Sequence, residues 1–572
     1  LVLAMTILLG GCNRQPTETR EPAAAAPAAL DPATTVYLNA DIVTVDEGRP
    51  TAQALAVRDG KILVVGSRAE VEAAAGNNTT SRDMYGKTII PGLIDAHGHL
   101  SMTTMMLAMA DLQPPPAGPV SSIAELQEAL RSWQGTNPEA PWILGWGYDD
   151  SLLAEQRHPT REDLDAVSTE QPILLTHVSG HLMSCNSKCL ELAGISAETE
   201  DPQGGVIRRM PGSSEPDGVL EENAMWSVYG IMPQPSPEQS LALMEKTQHY
   251  MASHGVTTMQ DGAVMVDALA PLQGAAAAGK FYLDVVAFAF FKQGDSIPAE
   301  LKSSPDYDGN FRIGGVKLVL DGSPQGKTAW LTQPYLHPPH GQDENYLGYP
   351  TMEDDGVLSL VKEAYTRGMP VIAHANGDAA GDQLIAAVTR ANEELGSADR
   401  RTVMIHAQTA REDQIERMQA QGMVPSYFVA HTFYWGDWHR DSVFGEERAS
   451  RISPLKSTAD RGMPYTTHND TPVVPPDMMR LLWAGVNRVT RSGQVLGPEQ
   501  RVAPLEALRS MTINAAYQYF EEDRKGSIEA GKLADLVVLS GNPLTVEPMA
   551  IADIVVLETL KEGETVYSAA DS

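Results

Sequence analysis

Basic residues, cysteines and long apolar runs are scarce in this chain, and each scarcity closes off a class of function. Lys and Arg number 42 against 74 Asp and Glu, and the net charge of -32 argues against nucleic acid or an anionic lipid surface as a partner. Of three cysteines, Cys185 and Cys189 form a CxxxC pair on an expected helix and read as two small buried side chains rather than a disulfide or a metal-binding pair. Beyond residue 12 no segment is apolar enough to cross a bilayer. A Ser/His/Asp nucleophile arrangement is missing as well, and no internal repeat is visible.

What the chain does have is length and apolar content, 572 residues of which 42% are hydrophobic, enough to bury a large core with a satellite unit beside it. Residues 1–12 form a short apolar run ending Leu8-Leu9-Gly10-Gly11-Cys12 that resembles a signal peptide with a bacterial lipobox. Cys12 would then carry lipid, residues 13–34 would serve as a Pro- and Ala-rich tether, and the body would face the periplasm, anchored to the cell envelope. Alternating apolar and polar residues over 35–86 and 525–568 predict a composite β-sandwich built from both ends of the chain. Between them, residues 87–524 alternate short β-rich runs with helical stretches.

Eight such runs, near Thr88–His97, Val256–Gln260, Tyr282–Phe290, Gly315–Leu320, Pro370–His374, Thr402–His406, Met423–Phe428 and Tyr465–His468, predict an α/β fold of the (β/α)8 TIM-barrel type. The gap at about 105–250 is too long for one crossover and predicts an insertion capping the site, with Trp142, Trp146, Tyr148, His177 and His181 on it. Potential metal ligands fall at the C-terminal ends of these runs. His97 and His99 alternate on a strand, so both imidazoles face one side. Lys317 lies inside an apolar strand, where an unpaired ammonium is costly. It either pairs with an acid such as Asp321 or loses its charge and reacts with CO2 to give a carbamate able to bridge two ions. His374 and His406 end successive strands and suit a second ion, with Asn376-Gly377-Asp378 as a turn and helix cap. Asp470 closes the eighth strand, either capping the next helix or binding metal and shuttling a proton. Zn²⁺ suits imidazole and carboxylate best, with Mn²⁺, Fe²⁺ and Co²⁺ as alternatives.

The segments PGLIDAHGHL, GGVKLVLDGSPQGKTAWL, VIAHANGDAA, IHAQ, HNDTP and GSIEAGKLADLVVL resemble the amidohydrolase superfamily, specifically the amidohydrolase 3 group that includes N-substituted formamide deformylase. The resemblance runs from about residue 36 to 568 and takes in SGHLMSCNSKCLELAGI and DPQGGVI of the insertion. It implies His97, His99 and Asp470 on one ion, His374 and His406 on the other, and Lys317 bridging as the carbamate. Ile405 and Pro324 depart from the usual pattern and bear on substrate more than on metal.

The expected reaction is hydrolysis of a C–N bond in an N-acyl or N-formyl amine by metal-activated hydroxide, with a small-molecule amide as partner and room for a homodimer. A mononuclear deaminase-like enzyme, an ester, lactone or carbamate hydrolase, and an inactive lipid-anchored binding protein are the competing readings. For substrate contacts the candidates are His181, Gln325 and Arg488, together with His431, Trp435 and His439 in the aromatic stretch after strand seven.

Overall fold

The computed structural model describes residues 34–339 and 341–570; Cys12 and the expected tether lie outside them. The central element is an eight-stranded sheet in which every neighbouring pair runs parallel and strands follow in chain order. Its strands are β1 (Leu93–Ile94), β2 (Val256–Val264), β3 (Asp284–Phe290), β4 (Phe311–Val319), β5 (Val371–Ala375), β6 (Val403–His406), β7 (Val424–Tyr427) and β8 (Thr466–Thr467). The ring closes beyond β1 and β8, where the Asp470 N–H donates to the His97 carbonyl at 3.2 Å and the His99 N–H to the Thr471 carbonyl at 2.8 Å. The fold is thus a (β/α)8 barrel, which places the functional mouth at the C-terminal strand ends.

Two apolar layers hold it. Inside, Ile94, Val286, Phe288, Ile372, Val403, Ile405 and Val424 pack together, and Ala515, Ala516 and Tyr519 from the helical segment near residue 515 plug the lower end. Outside, the strands pack against helices such as Asp354–Thr366 and Asp378–Leu395, whose buried residues recur at three- and four-residue spacing along one face. Each fully buried aliphatic side chain in these layers contributes roughly 1.5–3 kcal/mol.

The expected first strand, Thr88–His97, divides in two. Thr88–Pro91 leaves the barrel and pairs antiparallel with Leu536–Leu539, joining the two ends of the chain in a six-stranded sheet. Gly92 marks the break: its N–H donates to the Asp535 carbonyl, and a Cβ there would lie 2.3 Å from Thr257 Oγ1. A four-stranded sheet of Lys61–Gly66, Ala54–Arg58, Thr34–Leu38 and Thr79–Asp83 faces it across a core of Tyr37, Ile42, Leu55, Ile62, Ile89, Leu536 and Leu560.

The insertion after β1 carries its own six-stranded sheet, from Ala110–Asp111 at one edge to Gly205–Arg209 at the other. Separate apolar cores lie about it, one holding Tyr148 and the other Trp142, Cys185 and Cys189. The two cysteines do not share a helix. Cys185 ends a strand, Asn186 caps the helix Ser187–Ala193, and Cys189 lies in its first turn, paired with Cys185 as a disulfide. The expectation of two unpaired thiols is corrected accordingly.

Candidate metal centre

At the barrel mouth, parallel strands end at one level, so residues distant in sequence meet there. His97 and His99 emerge just past β1 with ring centroids 4.9 Å apart. Asp470 Oδ1 lies 3.1 Å from His99 Nε2 and 3.4 Å from His97 Nε2, while its other oxygen lies 3.8 Å from His406 Nε2. His97, His99 and Asp470 each offer a ligand atom within 4.8 Å of the others. The Asp470 side chain is therefore not a helix cap, and its backbone takes the left-handed φ of 54°. On the far side, His406 Nε2 sits 2.9 Å from His374 Nδ1. Lys317, fully buried on β4, places Nζ 3.1 Å from His97 Nε2. Asp321 does not pair with it. That carboxylate instead accepts the N–H groups of Trp330, Asn376 and Gly377 and lies 3.4 Å from His374 Nε2.

The electrostatics suit cation binding. Burial pushes the imidazoles of His97, His374 and His406 well below their usual range, and neighbouring cationic groups reinforce this, so all three offer lone pairs. Burial likewise brings the Lys317 ammonium down to about 7. Burial by itself would raise the Asp470 carboxyl, but the hydrogen bond and charge of His99, with His468 and Lys317 nearby, hold it below the ordinary carboxylate range. Its Oδ1 is buried and faces the two imidazoles His99 and His97, at 3.1 and 3.4 Å. Neutral imidazoles, a low-pKa lysine and an ionised carboxylate in one pocket form a donor set that fits one or two divalent ions.

Supporting contacts fix the ligands. The His97 Nδ1–H donates to Gln260 Oε1 at 2.5 Å, which leaves Nε2 as the free donor atom. Gln260 is held in turn through its amide, which donates to the Ala96 carbonyl and Tyr519 Oη. Gly262 keeps this approach open, since a Cβ there would meet the His97 ring at 2.5 Å. His374 Nε2 donates to the Gly322 carbonyl at 3.0 Å, leaving Nδ1 toward His406. Asn376 turns its amide to the same carbonyl, and the helix Asp378–Leu395 starts at the expected turn, with Gly377 as its N-cap and no side-chain cap bond.

One member of the site was overlooked in the sequence. His468, fully buried, sets Nε2 3.1 Å from His406 Nδ1 and its ring 5.3 Å from that of His97. Burial takes it to about 3. It precedes Asp470 by two residues, the same spacing that singled out His97 and His99, so the signal was present.

The expected substrate contacts separate into four groups. His181 reaches the centre, its ring 4.6 Å from His374. His431, Trp435 and His439 form a packed block, with His431 bonded to His439 at 2.8 Å and the Trp435 indole N–H donating to Asp149 at 2.7 Å. Gln325 is buried, and its carbonyl accepts from Trp438. Arg488 does not belong to the site: its guanidinium donates to the backbone carbonyls of Leu496, Ser453, Ser450 and Ile452. The half-buried aromatic pair at the mouth is instead Trp226 stacked on Phe290, with Phe290 opposite Lys317 in register. A second grouping of Asp149, Asp150 and His177 in the insertion is internally satisfied by Ser151, Trp435 and His158.

The profile of the amidohydrolase family matches residues 82–567. N-substituted formamide deformylase of Arthrobacter pascens is 29% identical over 551 residues, covering 94% of this chain and 99% of that protein. A putative amidohydrolase of Bacillus subtilis is 27% identical over 540 residues, covering 92% and 98%. Among solved structures, a metal-dependent hydrolase of Pyrococcus furiosus superposes with a TM-score of 0.66 at 25% identity, covering 90% of this chain and all of that one.

Proposed function

The chain belongs to the amidohydrolase family, and from that premise we propose that it cleaves the amide bond of N-acyl or N-formyl amines at the mouth formed by His97, His99, Lys317, His374, His406 and Asp470. The observation that carries this reading is the meeting of five strand ends at Asp470, whose carboxylate touches His97, His99 and His406.

In a binuclear arrangement, His97, His99 and Asp470 would hold one divalent ion and His374 and His406 the other, with Lys317, as its carbamate, available to both. Zinc is the ion the donor set favours. Ions bound there supply Lewis-acid polarisation of a carbonyl and activation of water near neutral pH, which makes a Ser or Cys nucleophile unnecessary. Lys317, lowered to about 7 by burial, is largely neutral just above that pH and can add to CO2, releasing one proton. Asp470 stays ionised and accepts the proton of the attacking water, then passes it to the departing amine. Trp226 and Phe290 give the mouth an apolar wall beside the Lys317 strand, which favours an aromatic or aliphatic substituent. The similarity to a deformylase supports the N-formyl branch.

A mononuclear reading draws on one observation, that His97, His99 and Asp470 alone form a compact three-ligand group. Elemental analysis of the purified protein and of Lys317→Ala, combined with turnover of N-acyl and N-formyl amines, separates the two. Near two ions per chain, falling with amide turnover on substitution, is expected. One ion unchanged by the substitution would remove Lys317 from the centre, and a wild type that turns over esters but no amide would overturn the amide assignment.

A further inference from the structure

The insertion sends one side-chain pair to the metal centre. His181 sits in the loop before Leu182–Cys185, and Glu222 ends the neighbouring strand Pro216–Glu222, where its N–H donates to the His181 carbonyl at 3.0 Å. Across this short link His181 Nδ1 meets Glu222 Oε2 at 2.7 Å. Glu222 is held by its surroundings in an unfavourable backbone conformation, φ 47° and ψ -121°. Gly322 makes room for it, since a Cβ there would lie 2.1 Å from Glu222 Oε1. The carbonyl of that glycine is the acceptor of His374 Nε2, so the pair and the metal ligand share one support.

Two features separate this pair from a merely structural ion pair within the insertion. Glu222 Oε1 is buried without a hydrogen-bond partner, and among the described residues nothing bonds His181 Nε2. The His181 side chain keeps 16% exposure while Glu222 keeps 3%, so the carboxylate is the buried backing and the imidazole is the more open face. With Nδ1 committed to Glu222, the ring orientation is fixed and Nε2 is left for a ligand beside His374.

We infer that His181 contacts the amide group of the substrate through Nε2, and that Glu222 is its positioning residue. This rests on the amide reading above and adds that the insertion supplies part of the reacting site. The substrate class it fits is a small amide seated with its carbonyl at the centre and its substituent toward Trp226, which begins four residues beyond Glu222 and stacks on Phe290.

The test uses the full-length protein with N-phenylformamide and N-phenylacetamide as probes. Turnover is read on metal-loaded enzyme, and equilibrium binding is read by calorimetry on metal-stripped protein. His181→Ala and His181→Asn should lower kcat/KM roughly 10- to 100-fold and weaken binding to stripped protein, with metal content unchanged. Glu222→Gln, which keeps an acceptor for Nδ1, should fall between wild type and Glu222→Leu, and the loss should appear in KM as well as kcat. If both His181 variants bind and turn over the probes as wild type does, the inference is overturned. The same follows if Glu222→Leu lowers thermal stability but leaves KM and binding untouched. A wild type that binds the probes through His181 without hydrolysing them overturns the amide-hydrolase reading alone, and one that neither binds nor hydrolyses them overturns both.

Discussion

Lys317 Nζ lies 3.1 Å from His97 Nε2, and among the described residues it forms no ion pair with any carboxylate. A lysine so placed stands in a centre whose acids are engaged elsewhere: Asp321 by three backbone N–H groups and Asp470 by His99. Burial lowers its folded pKa to about 7, below the value near 10.4 of an unfolded chain. Between those two values the unfolded state binds more protons, so the metal-free protein gains stability as pH rises from about 7 toward about 10.

Lys317→Met should therefore stabilise the metal-stripped protein by several kcal/mol at pH 7 and below, with the advantage shrinking as pH rises. Urea denaturation of the two stripped proteins across that range measures it. A gap that is constant with pH would show that Lys317 is not held neutral by burial.

Gln260 holds His97 through Nδ1 and is anchored in turn to Ala96 and Tyr519. Gln260→Leu should weaken zinc binding about 10- to 100-fold by freeing the tautomer and orientation of His97. Competition with a chelator of known affinity reads this directly. Wild-type affinity in the variant would assign the orientation of His97 to its packing alone.

Arg488 gives its guanidinium to four backbone carbonyls, and burial lowers it to about 10. Arg488→Met leaves these acceptors without their donor, each costing about 1–3 kcal/mol when unsatisfied. The expected result is a large drop in the denaturation midpoint with little change in KM. A raised KM at unchanged stability would return Arg488 to the substrate pocket.

Below the barrel, Lys525 bonds Asp284 and Glu521, and Lys561 joins Asp284 to Asp535, tying strand β3 to the sandwich. Lys525→Met should destabilise by about 3–5 kcal/mol by leaving carboxylates buried and unpaired. Burial would raise the Asp284 carboxyl, but Lys525 and Lys561 hold it low, so its contribution is present above the unfolded carboxylate range and lost as pH falls through the folded value. Lys525, raised by Asp284 against the opposing effect of burial, contributes in full below about 10.4 and loses that as pH rises through its folded value. Denaturation midpoints of wild type and variant from acid to alkaline pH check both arms.

The barrel was legible because its strands carry a local signature. Val371-Ile372-Ala373-His374 and Val403-Met404-Ile405-His406 are short apolar runs with an imidazole at the end, and a parallel sheet aligns such ends by its own hydrogen bonding. Thr88–Pro91 was misread because an apolar β-type run looks alike in a barrel and in a sandwich. What separates them is the partner strand Leu536–Leu539, more than 400 residues away. His468 was legible by spacing and passed over, while Glu222 was not legible at all, since nothing local marks a carboxylate that meets a loop histidine.

The sequence by itself determined the candidate ligand types, their order and their placement at strand ends, because alternation along a strand and the parallel alignment of strands are both local rules. The tertiary structure decided where the remaining polar groups went. Arg488 was drawn to backbone carbonyls, Asp321 to three N–H groups rather than to Lys317, and His181 to Glu222 beside His374. Each of these choices follows from which buried donors and acceptors were left facing each other once distant segments of the chain had packed together. That matching is a property of the assembled surface and has no periodicity in the chain.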